Sequence, residues 1–508
     1  MHTYQDKTLS LFTETTSQQL FSHLYEACNI LRGPVNQDEY KSYIIPILFF
    51  KRVSDVYDEE IQPPLEISKG DKDFAALPEF HRFVIPSGCH WEDLRDLTSD
   101  IGKAIAAAMS GIERANPQKL RGIFSSFDDA KWTDKTKLTD ERLKNLIEHM
   151  SKLKVGNKNY SSDVMGDSYE YLIKKFADLS KRNAGEFYTP REIVKLLILL
   201  LSPEKGETVY DPACGTGGML IEAIHHIKSV TSAYGKIYGQ ENNLATSSIA
   251  RMNLFLHGAD DFYIAQGDTL RNPQFFDSGK LKTFDCVVAN PPFALRNWGA
   301  ETFSTDIYGR NLWGCPSKSN GDFAWLQHMA ASMSPVKGRC AVILPQGVLF
   351  RGGRDGEIRR SLVESGKLEC IISLAGGVFY STGVSACVIF LRNTKAESHQ
   401  GRVCMIDASG IFTPQRAQNV MTEDDVRKVF ALYENYHDVP KLCRIVPFSE
   451  IREKNYSLAV NNYAAKEEQA AFTPDEIRRN YYGAFSSVIS AENVMKELLT
   501  EGGYLHEN

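Results

Sequence analysis

The sequence predicts an α/β fold, a mostly parallel sheet with helices on both faces, joined to an α-helical N-terminal domain and a helical C-terminal tail. Three observations carry this. Short apolar runs alternate with helical stretches from residue ~185 to ~400. A glycine-punctuated turn follows the first of those runs. The first ~165 residues instead repeat apolar positions at helical spacing. The expected divisions are 1–165, 166–400 and 401–508, the last an extension suited to docking a partner.

At the start, Leu20, Phe21, Leu24, Ala27, Cys28 and Leu31 share a helical face, and Gly33-Pro34 ends it. Tyr40, Ile44, Leu48 and Phe49 predict a second helix, which Pro46 should kink or displace because proline lacks an amide hydrogen. Leu143, Leu146, Ile147, Met150 and Leu153 predict a later helix with a charged opposite face. Pro63-Pro64, Gly70 and the 71–73 charge cluster read as loop.

Strands are then expected at 208–210, 236–239, 262–265, 284–289, 340–344, 369–374 and 386–391. Ligands of such sheets bind at the carboxyl ends of the strands. From 401 onward the chain turns polar and is expected to be helical.

Composition narrows the function. Of 508 residues, 43% are apolar and 24% charged, as in soluble globular proteins. The apolar run 193–201 is too short for a membrane span and contains Lys195. Residues 1–7 carry no secretion signal. Ten scattered cysteines without a Cys-x-x-Cys pair point to reduced thiols and a cytoplasmic protein, with no metal site. A net charge of −6 argues against gripping nucleic acid by bulk electrostatics.

The chemistry is concentrated at the strand ends. Asp211-Pro212-Ala213-Cys214-Gly215-Thr216-Gly217-Gly218 follows the first strand and leads into a helix. Its glycines let backbone approach a ligand, but they fit neither the dinucleotide fingerprint nor a phosphate loop. Asp211 would repel a polyphosphate and suits a cation. S-adenosylmethionine carries a sulfonium and an ammonium and no phosphate. Glu241, closing the second strand, stands where nucleoside-binding folds place a ribose-binding carboxylate. Asp268, closing the third, is placed to accept from an adenine amino group. Upstream, Glu186-Phe187-Tyr188-Thr189-Pro190-Arg191 precedes a helix, with Thr189 and Glu192 spaced as a capping box and Pro190 at the first helical position. Phe187 and Tyr188 are candidates to wall the cofactor's methionine end.

Asn290-Pro291-Pro292-Phe293 ends the fourth strand. An amino group conjugated to an aromatic ring is a poor nucleophile. The Asn290 oxygen and the Pro291 carbonyl can each accept one of its N–H bonds, the prolines hold those acceptors rigid, and Phe293 offers a stacking face.

These motifs, in this order, resemble the amino-methyltransferases whose cofactor motifs precede the catalytic one. Residues 27–33, 40–55, 376–385 and 455–458 extend the resemblance to the methylation subunits of type I restriction-modification systems. The resemblance implies the S-adenosylmethionine-dependent methyltransferase fold and adenine-N6 methylation of DNA. It assigns Glu186 to Arg191 and Thr216 to Gly218 to the cofactor, Glu241 to its ribose, Asp268 to its adenine, and Asn290 to Phe293 to the target base. It also implies assembly: two methylation subunits with one specificity subunit that reads the DNA, and restriction subunits that can join. The alternatives are a methyltransferase for protein glutamine or RNA, and a non-catalytic scaffold. A Gly-punctuated basic cluster at 350–360 is a candidate for DNA phosphate contacts.

Overall fold

The computed structural model describes residues 19–502 except 118, 121, 128–129, 180–188, 231–234, 260, 380–383, 416–418 and 465–473. Glu186, Phe187 and Tyr188 therefore lie outside the described residues.

The centre is a nine-stranded sheet. In chain order its strands are β1 (Val209–Asp211), β2 (Ile237–Glu241), β3 (Phe262–Gln266), β4 (Cys286–Ala289), β5 (Arg339–Pro345), β6 (Leu368–Leu374), β7 (Ala386–Arg392), β8 (Arg402–Ala408) and β9 (Cys443–Pro447). Their spatial order is β3-β2-β1-β4-β5-β7-β6-β8-β9. The run from β3 to β5 is parallel throughout. β7 is antiparallel to both its neighbours, and β9 to β8. Chain progression runs outward one way from β1 to β3 and the other way from β4 to β5. The switch point between β1 and β4 is where such sheets open a ligand crevice. β4 to β7 are buried along nearly their whole length, which explains their continuous apolar sequence.

One buried ion pair ties the foot of this crevice together. The Arg339 guanidinium, at the start of β5, bonds Glu207 Oε1 at 3.0 Å and Oε2 at 2.6 Å, just before β1. It also donates to the carbonyls of Leu201 and Ser202, so helix Arg191–Leu201 is fixed to the sheet at its C-terminal end.

The helical N-terminal region packs on the sheet domain through helix Leu244–Leu256. Ile249, Met252, Phe255 and Leu256 belong to the N-terminal core, with Phe49 and Phe255 ring centroids 5.4 Å apart. Helix Ser162–Leu179 joins the two regions, its Tyr169 hydroxyl donating to Met252 Sδ. Leu20, Leu24, Ala27 and Leu31 line the core face of the helix spanning 19–31. Pro46 does not displace the start of the helix, which begins at Tyr40 and continues through it to Glu60. Burial on nearly every face from Tyr40 to Tyr57 outweighs the local cost of one missing hydrogen bond.

Beyond residue 400 the polar segment supplies β8 and β9, with helix Glu423–Asn435 between them, where only helix was expected. The final helix, Pro474–Glu501, is exposed along its described length. No helix among the described residues is long and apolar enough to cross a membrane.

Candidate active site

β1 delivers Asp211 to the crevice. Its carboxyl is 2% exposed and accepts from the Ala213 amide at 2.9 Å. Burial pushes it up to about 8; the Ala213 bond opposes this and the Glu241 charge adds to it. The turn that follows needs glycine: Gly215 has φ +53° and Gly217 φ +86°. A Cβ on Gly215 or Gly218 would meet open space, so the backbone there faces the cavity. Glu241, at the end of β2, accepts from the Gly215 amide at 3.1 Å and the Asn243 amide at 2.8 Å. Burial raises its carboxyl also. Asp268 sits one strand further out. Its Oδ1 accepts from the Leu270 and Arg271 amides at 3.0 and 3.1 Å, capping a turn, and its Oδ2 lies 3.6 Å from Arg271 Nε.

Asn290 lies at the end of β4, next to β1. Its Nδ2 donates to Thr189 Oγ1 at 2.9 Å. With the amide nitrogen so engaged, the side-chain oxygen is the group left to accept. This bond also corrects the expected capping box. Helix Arg191–Leu201 has Pro190 as its N-cap and no side-chain cap bond. Thr189 is turned to the catalytic strand instead, a tertiary contact that wins over the local one. Pro291 is buried and Pro292 exposed, while half-buried Phe293 meets Phe379 edge-on at 6.3 Å. The next residue, Ala294, has φ +50°, uncommon for a residue with a side chain. Its amide is held by Asp322 Oδ1 at 2.8 Å, and Arg351 pairs with Asp322 Oδ2 at 2.7 Å.

A cavity joins some of these parts, its lining taking in neither Glu241, Asp268 nor residues 291–293. Thr189, Arg191, Asp211, Gly215, Thr216 and Asn290 line it, together with Gly218. Its deeper wall was not legible in the sequence: Glu170 from helix Ser162–Leu179, with His225 and His257. Burial lifts the Glu170 carboxyl to about 7 and lowers His257 to about 3, so that histidine is neutral. No motif marks these residues, because each belongs to an otherwise ordinary helical pattern.

The cavity suits a cationic ligand. Among the described residues its lining sets the carboxyls of Asp211, Glu170 and Glu222 against the one guanidinium of Arg191. Asp211 is largely protonated at neutral pH when no cation is near, and a cation beside it favours the carboxylate. Uptake of a cationic ligand beside Asp211 should therefore release a proton, with affinity rising with pH until the free carboxyl has itself ionised, above about 8. Calorimetry in buffers of different ionisation enthalpy measures that proton; Asp211→Asn should abolish its release.

A family model described as N-6 DNA methylase matches residues 160–472, which contain all the candidate site residues named above. The chain belongs to the N-6 DNA methylase family. A second model, the HsdM N-terminal domain, matches residues 20–150. The methylase is 28% identical to the type I restriction enzyme MjaVIII methylase subunit of Methanocaldococcus jannaschii, over 90% of this chain and 79% of that one. It is 29% identical to the HindI methylase subunit of Haemophilus influenzae, over 76% and 90%. Its fold superposes on the type I restriction-modification methyltransferase subunit from Streptococcus thermophilus with a TM-score of 0.75, at 28% identity, covering 88% of this chain and 100% of that structure. The methylase thus has the S-adenosylmethionine-dependent fold expected from its sequence, and S-adenosylmethionine is its methyl donor. The reaction is adenine-N6 methylation of DNA, within a type I restriction-modification system. The glutamine, RNA and scaffold readings find no support in these relatives.

Proposed function

We propose that Asn290, Pro291, Pro292 and Phe293 hold the extruded target adenine, and that Asp211, Gly215, Thr216, Gly217 and Gly218 hold the cofactor beside it. The observation that carries this is the Asn290–Thr189 hydrogen bond at the mouth of the Asp211 cavity. It supports this reading because both of its residues line the cavity that Asp211 also lines. Glu241 receives the ribose and Asp268 the cofactor adenine through its Oδ2. Thr189 and Arg191, which line the cavity, contact the cofactor too.

The base leaves the duplex at a cost of a few kcal/mol, offset by stacking on Phe293 and by the two acceptors. Those acceptors favour the positive charge that develops on the amino nitrogen as it attacks. S-adenosylmethionine supplies the methyl group on a sulfonium, a leaving group that needs no general acid. Transfer is direct, so no thiol nucleophile is required. Cys214 fits this, since burial raises its thiol and leaves it a packing residue.

The site recognises an amino group and a flat base, not a sequence. Site choice therefore falls to a specificity subunit, two copies of this chain serving each one, in the cytoplasm, with a restriction subunit able to join. The helix Pro474–Glu501 is suited to that assembly. Ile477, Tyr481, Val488, Met495 and Leu498 follow a heptad pattern and are all exposed. Such a stripe is stabilised by burial against another helix. The test is co-purification: removing residues 474–508 should abolish capture by the specificity subunit and leave cofactor affinity within about twofold. Full assembly by the shortened chain would contradict the docking role.

A further inference from the structure

A groove opens beside the catalytic loop, lined by Ala294, Arg296, Ser317, Ser319, Arg351 and Arg354, with Asn320, Gly352 and Asp355 completing it. We propose that it seats one phosphodiester of the target strand, close to the extruded adenine, between Arg296 and Arg354. The proposal rests on the active-site reading above.

The basic cluster at 350–360 is mostly structural, and the structure separates its members. Arg351 is bound to Asp322 at 2.7 Å and to Asp355 at 3.0 Å. Arg359 is buried and donates to the carbonyls of Tyr456, Val348 and Arg351. The Arg360 guanidinium lies over the Tyr456 ring at 5.5 Å. Arg354 is exposed and has no carboxylate partner among the described residues. It is joined in the groove by Arg296, equally exposed and equally without one, from a loop far away in sequence.

The remaining lining is made of donors. Asn320 Oδ1 accepts the Asp322 amide at 2.9 Å, which leaves its NH2 to donate. The Ser317 and Ser319 hydroxyls lie 3.2 Å apart. The one acid in the groove, Asp355, is already paired with Arg351. Two free guanidinium groups, two hydroxyls and an amide form an anion site of phosphate chemistry.

Position makes that anion DNA. Ala294 is both a groove residue and four residues past Asn290, so at ~3.4 Å per residue the two are within about 14 Å. Successive phosphates advance about 3.4 Å per nucleotide along a strand. The groove therefore lies within reach of a phosphate one or a few nucleotides from the target. Two of its lining residues are tied together, Arg351 pairing with Asp322 and Asp322 accepting the Ala294 amide. A chain of net charge −6 contacts DNA through local basic sites or a partner, and this groove is such a local site.

The test uses the complete complex with its specificity subunit. Duplexes carry a neutral methylphosphonate at one linkage at a time around the target adenine. One linkage should weaken binding by wild type about tenfold, and the Arg296→Ala/Arg354→Ala variant should show no further loss at that linkage. On unmodified DNA the double variant should lower the slope of log affinity against log salt by about 0.9, the value for one phosphate. Cofactor affinity and assembly, unchanged in the variant, show that it folds. An unaltered salt slope, or a methylphosphonate profile identical in both proteins, overturns the proposal. Loss of methyladenine in Asn290→Ala, with the wild-type complex active, would show that the active-site reading stands even then.

Discussion

Asn290→Ala should slow methyl transfer about 10²–10³-fold, as loss of a preorganised polar group at a reacting centre does, and leave cofactor affinity unchanged. The side chain lost is the one fixed by Thr189 at 2.9 Å, so its oxygen is held without reorganisation when the amino group arrives. The cofactor side of the cavity is made by other strands, by Asp211 and the glycine turn. Single-turnover kinetics in the assembled complex measures the rate, and calorimetry the affinity. Thr189→Val should lower the rate by a smaller factor, and Thr189→Ser should restore it. Equal transfer by wild type and Asn290→Ala would remove the assignment of residues 290–293.

The second large effect is on stability. Arg339→Ala should cost about 3–5 kcal/mol, because it leaves the Glu207 carboxylate buried without its partner. Both side chains are 7% exposed, and Arg339 also satisfies the last carbonyls of helix Arg191–Leu201. The cost falls on the parallel core from which Asp211 and Asn290 both project. Urea denaturation measures it. The exposed pair Arg452–Glu364, bonded at 2.8 Å, provides the contrast: its loss should leave the transition where it is. A transition for Arg339→Ala matching wild type would show that the pair does not hold the sheet.

The alternation of strands and helices made the sheet legible, and the turn at 211–218 and the stretch at 290–293 stand at strand ends as expected. What spacing could not show is that β1 and β4 are neighbours, which brings Asp211 and Asn290 together. The Thr189–Asn290 bond spans 101 residues, and the local capping rule pointed elsewhere. β8 and β9 were missed because their apolar runs are short and bounded by polar residues, Arg402 and Asp407 in β8 and Arg444 in β9. The basic cluster was visible, but only packing shows that Arg351 and Arg359 serve the fold and that Arg354 is free. Glu170 and His257 reach the cavity from helices whose patterns carry no sign of it.

The most direct measurement of the central claim is the fate of the methyl group. The complex is incubated with methyl-labelled S-adenosylmethionine and a duplex containing its site, and the DNA is digested to nucleosides. The expected result is label on the N6 amino group of adenine in wild type and its loss in Asn290→Ala with cofactor still bound. Label on a cytosine amino group or on protein, or adenine methylation that persists in Asn290→Ala, would contradict the account.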